Sequence, residues 1–597
     1  MNKAVLSLLL YSCSLSSFAN TLQQPIDALI RNIDPNINMG MMVVDLNTGE
    51  TLYQRHIKQT FIPASNMKLF SDATALLALG PDYHFQSQLT TDATHIQQGT
   101  LFGSLYLYLP GDPTLTKTNI DELFRVLPKL GVQRITGSVV LASDFANIQP
   151  HPPGIVPRDL NYSYGASLAP LIVSENRVTI TVNPSCRAGD HAIVEYSAPA
   201  GSFILDNQVT TVAGSAGGIS FTTTDDNRLV VRGKIGQKQG SVQARIPVKN
   251  PLSHTQELIK LALHKQNITF NGPVTLGKIK PSMLLATHYS QPIVHIMAET
   301  LKPSDNLYAD SLFLHTAAKI HGTPLNWEEA QPVIKQYLQQ QTGIDMHPAV
   351  LIDGSGLSRR NLLTAEQTVE LLSYLYNHFP LAYEYIAALP IAGQDGTLLH
   401  RLRKPTQKGL IRAKTGSMTG VISLSGYLYT ANAHTLAFAI FINTRAGTHP
   451  NISGRYRSMV DSLCDYLLRQ KPDTTQHLVL SLNPHASVAF QKQASDADKQ
   501  RNRIVKWRRI EYALKQALKD QAVTVVFRDD QLILQDHNAN INTVWSTLQK
   551  ISHQYSIAIA LEGATEPTRI NPQLQLLWIK NQKLGTNRQW VLHESIS

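Results

Sequence analysis

The sequence predicts an α+β catalytic fold, an antiparallel sheet flanked by helices beside a helical subdomain, with inserted β-rich domains and an extra C-terminal α+β module. Three observations predict it. Candidate catalytic residues fall near positions 65, 304 and 414, so one site requires the β-rich texture of residues 86–252 to be an insertion, not a linker. Helical periodicity resumes at 253 and gives way to an antiparallel run around Lys414. Beyond 470 the texture changes again and no catalytic constellation recurs. The expected organisation is a leader over 1–19 and a discontinuous catalytic domain over 20–85 and 253–470. The insertions occupy 86–252, and a basic module covers 471–597.

A chain of 597 residues exceeds what one core holds, and three or four domains is the fair expectation. With 43% hydrophobic and 16% charged residues it falls outside the disordered and fibrous classes. The net charge of +10 suits anionic surroundings such as wall polymer or a membrane surface, and no nucleic-acid partner is expected. Met1-Asn-Lys3, the largely apolar run Ala4–Leu15 and the small residues of Ser17-Phe-Ala19 predict a secretory leader cleaved after Ala19, hence an exported chain. No later apolar run approaches the roughly 20 residues that span a bilayer. Cys186 and Cys464 then either pair in an oxidising compartment or stay as two buried free thiols.

Taken in order, Pro25–Ile33 predicts an amphipathic helix, and Met39–Asp45 and Glu50–Gln54 predict strands about the Asn47-Thr-Gly49 turn. Pro63 opens a helix that carries Ser65. Within the insertion, strands are expected at Leu101–Tyr108, Arg134–Leu141, Arg177–Val182, His191–Tyr196, Arg228–Gly233 and Gly240–Val248, with a helix at Asn119–Leu130. Helices follow at Ser253–His264, Tyr289–Thr300, Asp305–Ile320, Trp327–Gln341 and Thr364–His378, broken by the Gly-rich loop Asp353–Arg360. Leu410–Thr415, Gly420–Tyr429 and Thr435–Ile442 form the antiparallel run, and Arg455–Leu468 is a closing helix. In the last module, strands are expected at Ala522–Phe527, Gln531–Leu534, Ile557–Leu561 and Leu574–Ile579, with a helix at Ile541–Ser552. Six cations lie within Lys499–Arg509. A solvated basic face accounts for them; the sharper reading is a dock for anionic wall polymer, a membrane surface or a protein.

The chemistry concentrates in three phrases. Ser65 and Lys68 lie three residues apart on one helical face, within side-chain reach. A serine hydroxyl is a poor nucleophile until a base takes its proton. A lysine is such a base only if its amine is kept neutral, by burial or by a second cation. Lys414, in Lys414-Thr-Gly416 on a strand-like segment, supplies the cation, and Ser304 and Asn306 supply a hydroxyl and an amide. Alone, Ser65 and Lys68 read as an ordinary polar pair, since Ser-x-x-Lys arises by chance about once or twice in a chain this long. Here it occurs once, as does Lys-Thr-Gly. Ser174-Glu-Asn176 and Ser481-Leu-Asn483 compete with Ser304-Asp-Asn306, and order removes the second. All three phrases together favour a catalytic crevice.

Ser-x-x-Lys, Ser-Asp-Asn and Lys-Thr-Gly in this order resemble the motif set of penicillin-binding proteins and class A β-lactamases. Phe61–Leu69, Leu109–Pro113, Ser304–Ala309, Asp353–Ser358, Leu389–Thr397 and Arg412–Gly416 are similar to the low-molecular-mass class C penicillin-binding proteins, the D-alanyl-D-alanine carboxypeptidase/endopeptidase family, over roughly residues 24–468. The resemblance implies the penicillin-binding/β-lactamase-like transpeptidase fold, a periplasmic location and no cofactor or metal. It implies peptidoglycan stem peptides as substrate and β-lactam antibiotics as ligands, both through an acyl-enzyme on Ser65. Lys68 is the implied base, Ser304 the proton relay and Asn306 the group that holds Lys68 or the substrate amide. Lys414, Thr415 and Gly416 are the implied carboxylate-recognition segment, and the backbone N–H groups of Ser65 and Ser417 the oxyanion hole. Asp144, Phe145, Arg359 and Thr419 are further candidate substrate contacts; Leu141–Phe145 fits the family's substrate-contacting segment only in part, and some relatives carry a larger amide where Thr419 stands. Rival readings are a β-lactamase, a wall-binding or assembly protein with a decayed cleft, and an esterase or D-amino-acid amidase.

Overall fold

The computed structural model describes residues 22–470, apart from 200, 216, 281, 432 and 445–451, together with three strands beyond residue 522. The expected leader, the basic stretch Lys499–Arg509 and the expected elements Ile541–Ser552, Ile557–Leu561 and Leu574–Ile579 lie outside the described residues. The chain divides into two units, one of residues 1–377 and 381–471, the other of 378–380 and 472–597.

The first unit opens with α1 (Gln23–Ile33) and the antiparallel pair β1 (Met39–Asp45) and β2 (Thr51–Arg55). A 3-10 turn at Ala64–Asn66 leads into α2 (Met67–Leu79), which begins four residues after Pro63 and leaves Ser65 on the 3-10 turn. The chain then departs through β3 (Gln86–Thr91), β4 (Leu105–Leu109), α3 (Lys117–Phe124) and β5 (Val139–Ser143). A nested excursion forms two three-stranded sheets from β6 (Arg177–Asn183), β7 (Ile193–Tyr196), β8 (Ile204–Val212), β9 (Gly218–Thr223), β10 (Arg228–Gly236) and β11 (Val242–Pro247). Their orders are β7–β6–β11 and β8–β10–β9, and Val178, Ile180, Val209, Leu229 and Val231 close a core between them.

The insertion does not end at 252. After α4 (Pro251–Lys265), β12 (Val274–Leu276) and β13 (Met283–Tyr289) return to complete a sheet of order β12–β5–β4–β3–β13. Leu258, Ile259 and Leu263 of α4 pack with Leu105, Leu107, Ile120 and Phe124 of this module. The sequence reading assigned that helix to the catalytic domain because periodicity reveals an apolar face, not the partner that covers it. The edge strand β13 escaped it because Met283, Leu284 and Tyr289 stay exposed and no inside–outside alternation develops.

Helices α5 (Ile293–Leu301), α6 (Asn306–His321), α7 (Trp327–Thr342), α8 (Ala365–Asn377) and α9 (Leu381–Ala388) follow. The chain then closes the main sheet with β14 (Ile411–Met418), β15 (Val421–Tyr429) and β16 (Thr435–Asn443), before α10 (Ile452–Leu468). The sheet is antiparallel, in the order β2–β1–β16–β15–β14. Alternation along the central β16 explains its layers. Leu436, Phe438, Ile440 and Ile442 join Ile26 and Ile30 of α1 and Val460 and Leu463 of α10. Ala437, Ala439 and Phe441 point into a second core with Phe70, Leu312, Leu371 and Leu372. Burying each of these large side chains contributes about 1.5–3 kcal/mol, and the small alanines let the helical layer approach closely. Cys186 is exposed and Cys464 buried, and neither is disulfide-bonded. Of the second unit, β17 (Val523–Arg528), β18 (Gln531–Asp536) and β19 (Arg588–Leu592) form an antiparallel sheet in that order.

Candidate active site

The nucleophile candidate sits on strained backbone at the junction of sheet and helices. Ala64 has φ +46, a conformation costly for a residue with a Cβ. The turn is held from the sheet: the Ser423 hydroxyl donates to the Pro63 carbonyl at 2.7 Å, and Asn66 Nδ2 donates to Ser423 Oγ at 2.8 Å and to the Lys414 carbonyl at 3.2 Å. Two glycines permit this approach. A Cβ on Gly416 would lie 2.1 Å from Ser423 Oγ, and one on Gly356, whose φ is +81, would lie 1.8 Å from the Ala64 carbonyl oxygen.

Lys68 follows one helical turn after Ser65 and is wholly buried. Its Nζ lies 3.1 Å from Ser65 Oγ, 2.7 Å from Asn306 Oδ1 and 2.7 Å from the Ser355 carbonyl oxygen. The last two atoms only accept. A neutral amine has two hydrogens, which they occupy, leaving its lone pair for the Ser65 hydroxyl. Burial pulls the Lys68 amine down to about 8, against the opposing pull of Asp310, Asp305, Asp353 and Asp72. Of these, Asp310 accepts from the Gly354 and Ser355 amides at 2.9 and 2.8 Å. Asp353 accepts from the amides of Gly356 and Ser358, both at 2.7 Å. Desolvation raises the pKa of both carboxyls.

The second and third phrases meet the first. Ser304 adopts φ +67, and its Oγ accepts from Lys414 Nζ at 2.8 Å; Lys414 also donates to the Thr415 carbonyl at 2.9 Å. Lys414 is wholly buried, and burial together with the nearby Lys68 charge drives its pKa well below the ordinary lysine value. Asn306 donates through Nδ2 to the Tyr164 carbonyl at 3.0 Å, which turns its Oδ1 toward Lys68. Thr415 and Thr397 share a hydroxyl–hydroxyl bond of 2.7 Å, fastening Leu389–Thr397 to β14.

In front of these groups lies a cleft of about 550 Å³. Of the candidate residues, Ser65, Ser304, Asn306, Arg359, Ser417 and Thr419 line it. Lys68, Lys414 and Gly416 are buried and do not line it. Asp144 and Phe145 are not part of it. Phe145 is buried in the helical-side core, and the Tyr108 hydroxyl donates its hydrogen to the Asp144 carboxylate, whose oxygens lie at 3.0 and 2.9 Å. Their place is taken by Arg158, Asp159 and Tyr164, which the sequence reading passed over. Nothing marked them, because they come from an irregular loop whose nearness to Ser65 depends on the whole insertion. Arg158 Nη2 donates to Thr419 Oγ1 at 3.1 Å and Arg359 Nη2 to its carbonyl at 2.8 Å. The Ser355 carbonyl was equally invisible. Asp72 was legible, four residues beyond Lys68 on the same helical face; it is fully buried, and among the described residues neither of its carboxylate oxygens has a hydrogen-bond partner.

Against known proteins, the model of the D-Ala-D-Ala carboxypeptidase 3 (S13) family matches residues 22–462. The chain belongs to this family. It is 32% identical over 451 residues to a D-alanyl-D-alanine carboxypeptidase of Actinomadura sp. (strain R39), covering 72% of this chain and 82% of that one. It is 30% identical over 444 residues to the D-alanyl-D-alanine carboxypeptidase DacB of Haemophilus influenzae, covering 73% and 91%. The crystal structure of penicillin binding protein 4 from Haemophilus influenzae aligns with a TM-score of 0.66 at 28% identity, over 74% of this chain and 99% of that one. Another crystal structure of that protein is a complex with a β-lactam. The protein is thus a serine peptidase of the D-Ala-D-Ala carboxypeptidase class with the penicillin-binding fold. Residues 471–597 lie outside the family match. Among the described residues no helix is long and apolar enough to cross a membrane.

Proposed function

We propose that this protein is an exported, periplasmic D,D-peptidase that cleaves peptidoglycan stem peptides, as a D-Ala-D-Ala carboxypeptidase and as a D,D-endopeptidase, through an acyl-enzyme on Ser65. One observation carries the reading: Lys68 Nζ stands 3.1 Å from Ser65 Oγ with its other two contacts made by acceptors. Ser65 attacks the carbonyl of the penultimate D-alanine while Lys68 takes its proton. Ser304, bonded to Lys414, passes a proton to the departing amine, and Asn306 holds Lys68. Lys414 and Thr415 suit recognition of the terminal carboxylate. The backbone N–H groups of Ser65 and Ser417, both on the cleft wall, form the oxyanion hole, worth about 3–4 kcal/mol for each donor lost. Water then releases the acyl group.

Arg158, Asp159 and Arg359 bring both signs of charge to the cleft, which suits the amine and carboxylate of a stem peptide's diamino-acid side chain. A β-lactam acylates Ser65 because its strained amide imitates the same dipeptide. The six cations of Lys499–Arg509 suit docking on an anionic wall polymer, a membrane surface or a protein, on charge alone.

The test is direct. Purified protein and Ser65→Ala are incubated with a stem peptide ending in D-Ala-D-Ala and with cross-linked muropeptides. Release of D-alanine and loss of cross-links by the wild type alone supports the reading. Equal turnover by Ser65→Ala, or none by either, contradicts it.

A further inference from the structure

The insertion touches the catalytic loop through one side chain that the mechanism above does not use. Arg177 opens β6 in the nested module, and its side chain is only 2% exposed. Its Nε donates to the Ser163 carbonyl at 2.7 Å and its Nη1 to Glu175 at 2.6 Å. Nη1 and Nη2 also grip the two carboxylate oxygens of Asp305, the Nη2–Oδ1 bond being 3.0 Å. Asp305 stands between Ser304 and Asn306. Its Oδ1 additionally accepts from the Leu307 and Tyr308 amides, at 2.9 and 3.3 Å, and so caps α6. Ser163 precedes Tyr164, whose carbonyl receives Asn306 Nδ2. One guanidinium therefore ties together the two segments between which Asn306 is suspended.

This loop needs external support. Ser304 holds φ +67, a state that persists in a residue with a Cβ only when its surroundings over-determine it. The support is itself constrained: Ser174, Glu175 and Asn176 all have positive φ, at +52, +57 and +48, and Arg245 braces Glu175 at 2.8 Å. A planar fork matches a carboxylate in two places at once; a lysine ammonium in the same spot is a point charge and cannot.

We propose that Arg177 is a positioning residue for catalysis: it fixes Ser304 and Asn306 where Lys414 and Lys68 meet them, so that the nested module is a working part of the active site. The proposal rests on the reading of Ser65 as the acylated nucleophile. The experiment follows acylation of the full-length protein by fluorescent penicillin over a range of concentrations, giving a maximal rate and a half-saturating concentration. Arg177→Lys, Arg177→Gln, Asp305→Asn and Arg245→Ala are compared with the wild type, with melting temperatures alongside. Both Arg177 variants are expected to lose about tenfold to a hundredfold in maximal rate per folded molecule, with the half-saturating concentration nearly unchanged. Asp305→Asn, whose amide oxygen still caps α6, should lose a similar factor, and combining it with Arg177→Lys should add little. Arg245→Ala, which removes only the outer brace, should stay within about twofold of wild type. A merely structural arginine would lower the melting temperature and leave the rate per folded molecule intact; that result overturns the proposal. Should both Arg177 variants fail to fold, an unimpaired Asp305→Asn overturns it. A wild type that forms no adduct overturns the Ser65 reading beneath it.

Discussion

Lys68 and Lys414 are the same residue, equally buried, and differ in what surrounds them. Lys68 lies among Asp310, Asp305, Asp353 and Asp72, whose charges oppose the desolvation, and its amine settles at about 8. Lys414 has only Asp72 in its favour and Lys68 against it, and burial drives it well below the ordinary lysine value. Burial alone makes an amine neutral; carboxylates decide how basic it remains. In the proposed mechanism the base is the amine with the carboxylates. The amine with only Asp72 in its favour bonds Ser304 and the Thr415 carbonyl.

The comparison breaks first at the nucleophile's own base. Lys68→Ala should cut the acylation rate about 10²–10⁴-fold, the usual worth of a general base, measured by stopped-flow binding of fluorescent penicillin. Lys414→Met should cost less, about a hundredfold in kcat/KM for the stem peptide, because Ser304 keeps its hydroxyl and loses only its donor. Equal losses in the two variants would erase the distinction drawn here. Asp310→Asn sharpens it, since the amide oxygen can still accept from Gly354 and Ser355 while the charge is gone. Without that charge the pKa of Lys68 falls, so the acid limb of the rate profile should move to lower pH by about one unit or less. An unmoved limb would mean that Asp310 carries a proton throughout. The smallest effect concerns support beneath α2. The Tyr385 hydroxyl donates to the Leu69 carbonyl at 2.9 Å in the core, and Tyr385→Phe should lower stability by about 1 kcal/mol in denaturant melts while acylation is unchanged.

Much of this molecule was legible in its sequence, and what was not follows a physical pattern. The main sheet was readable because β14, β15 and β16 are apolar runs bounded by turns, and β1 was legible to its end residues. Ser65, Lys68, Ser304, Asn306 and Lys414, which the structure brings together, were readable as residue types that the proposed reaction would need together. What stayed hidden depends on distance in space. Arg158, Asp159 and Tyr164 reach the cleft only because the insertion folds back beside it, and for the same reason Asp144 and Phe145, chosen from the sequence, do not line it. The Ser355 contact is a backbone carbonyl, which no side chain announces. The insertion's end at Tyr289 instead of 252 turned on β13, an exposed edge strand with no inside–outside alternation.

The pH dependence of Ser65 acylation tests the central claim most directly. The rate constant for adduct formation with fluorescent penicillin is followed from pH 5 to pH 10 in the wild type. If neutral Lys68 is the base, the rate climbs with pH, about tenfold per unit at the low end, and levels off above a midpoint near 8. A rate that stays flat across that range, or a midpoint near the ordinary lysine value of 10.5, would contradict it.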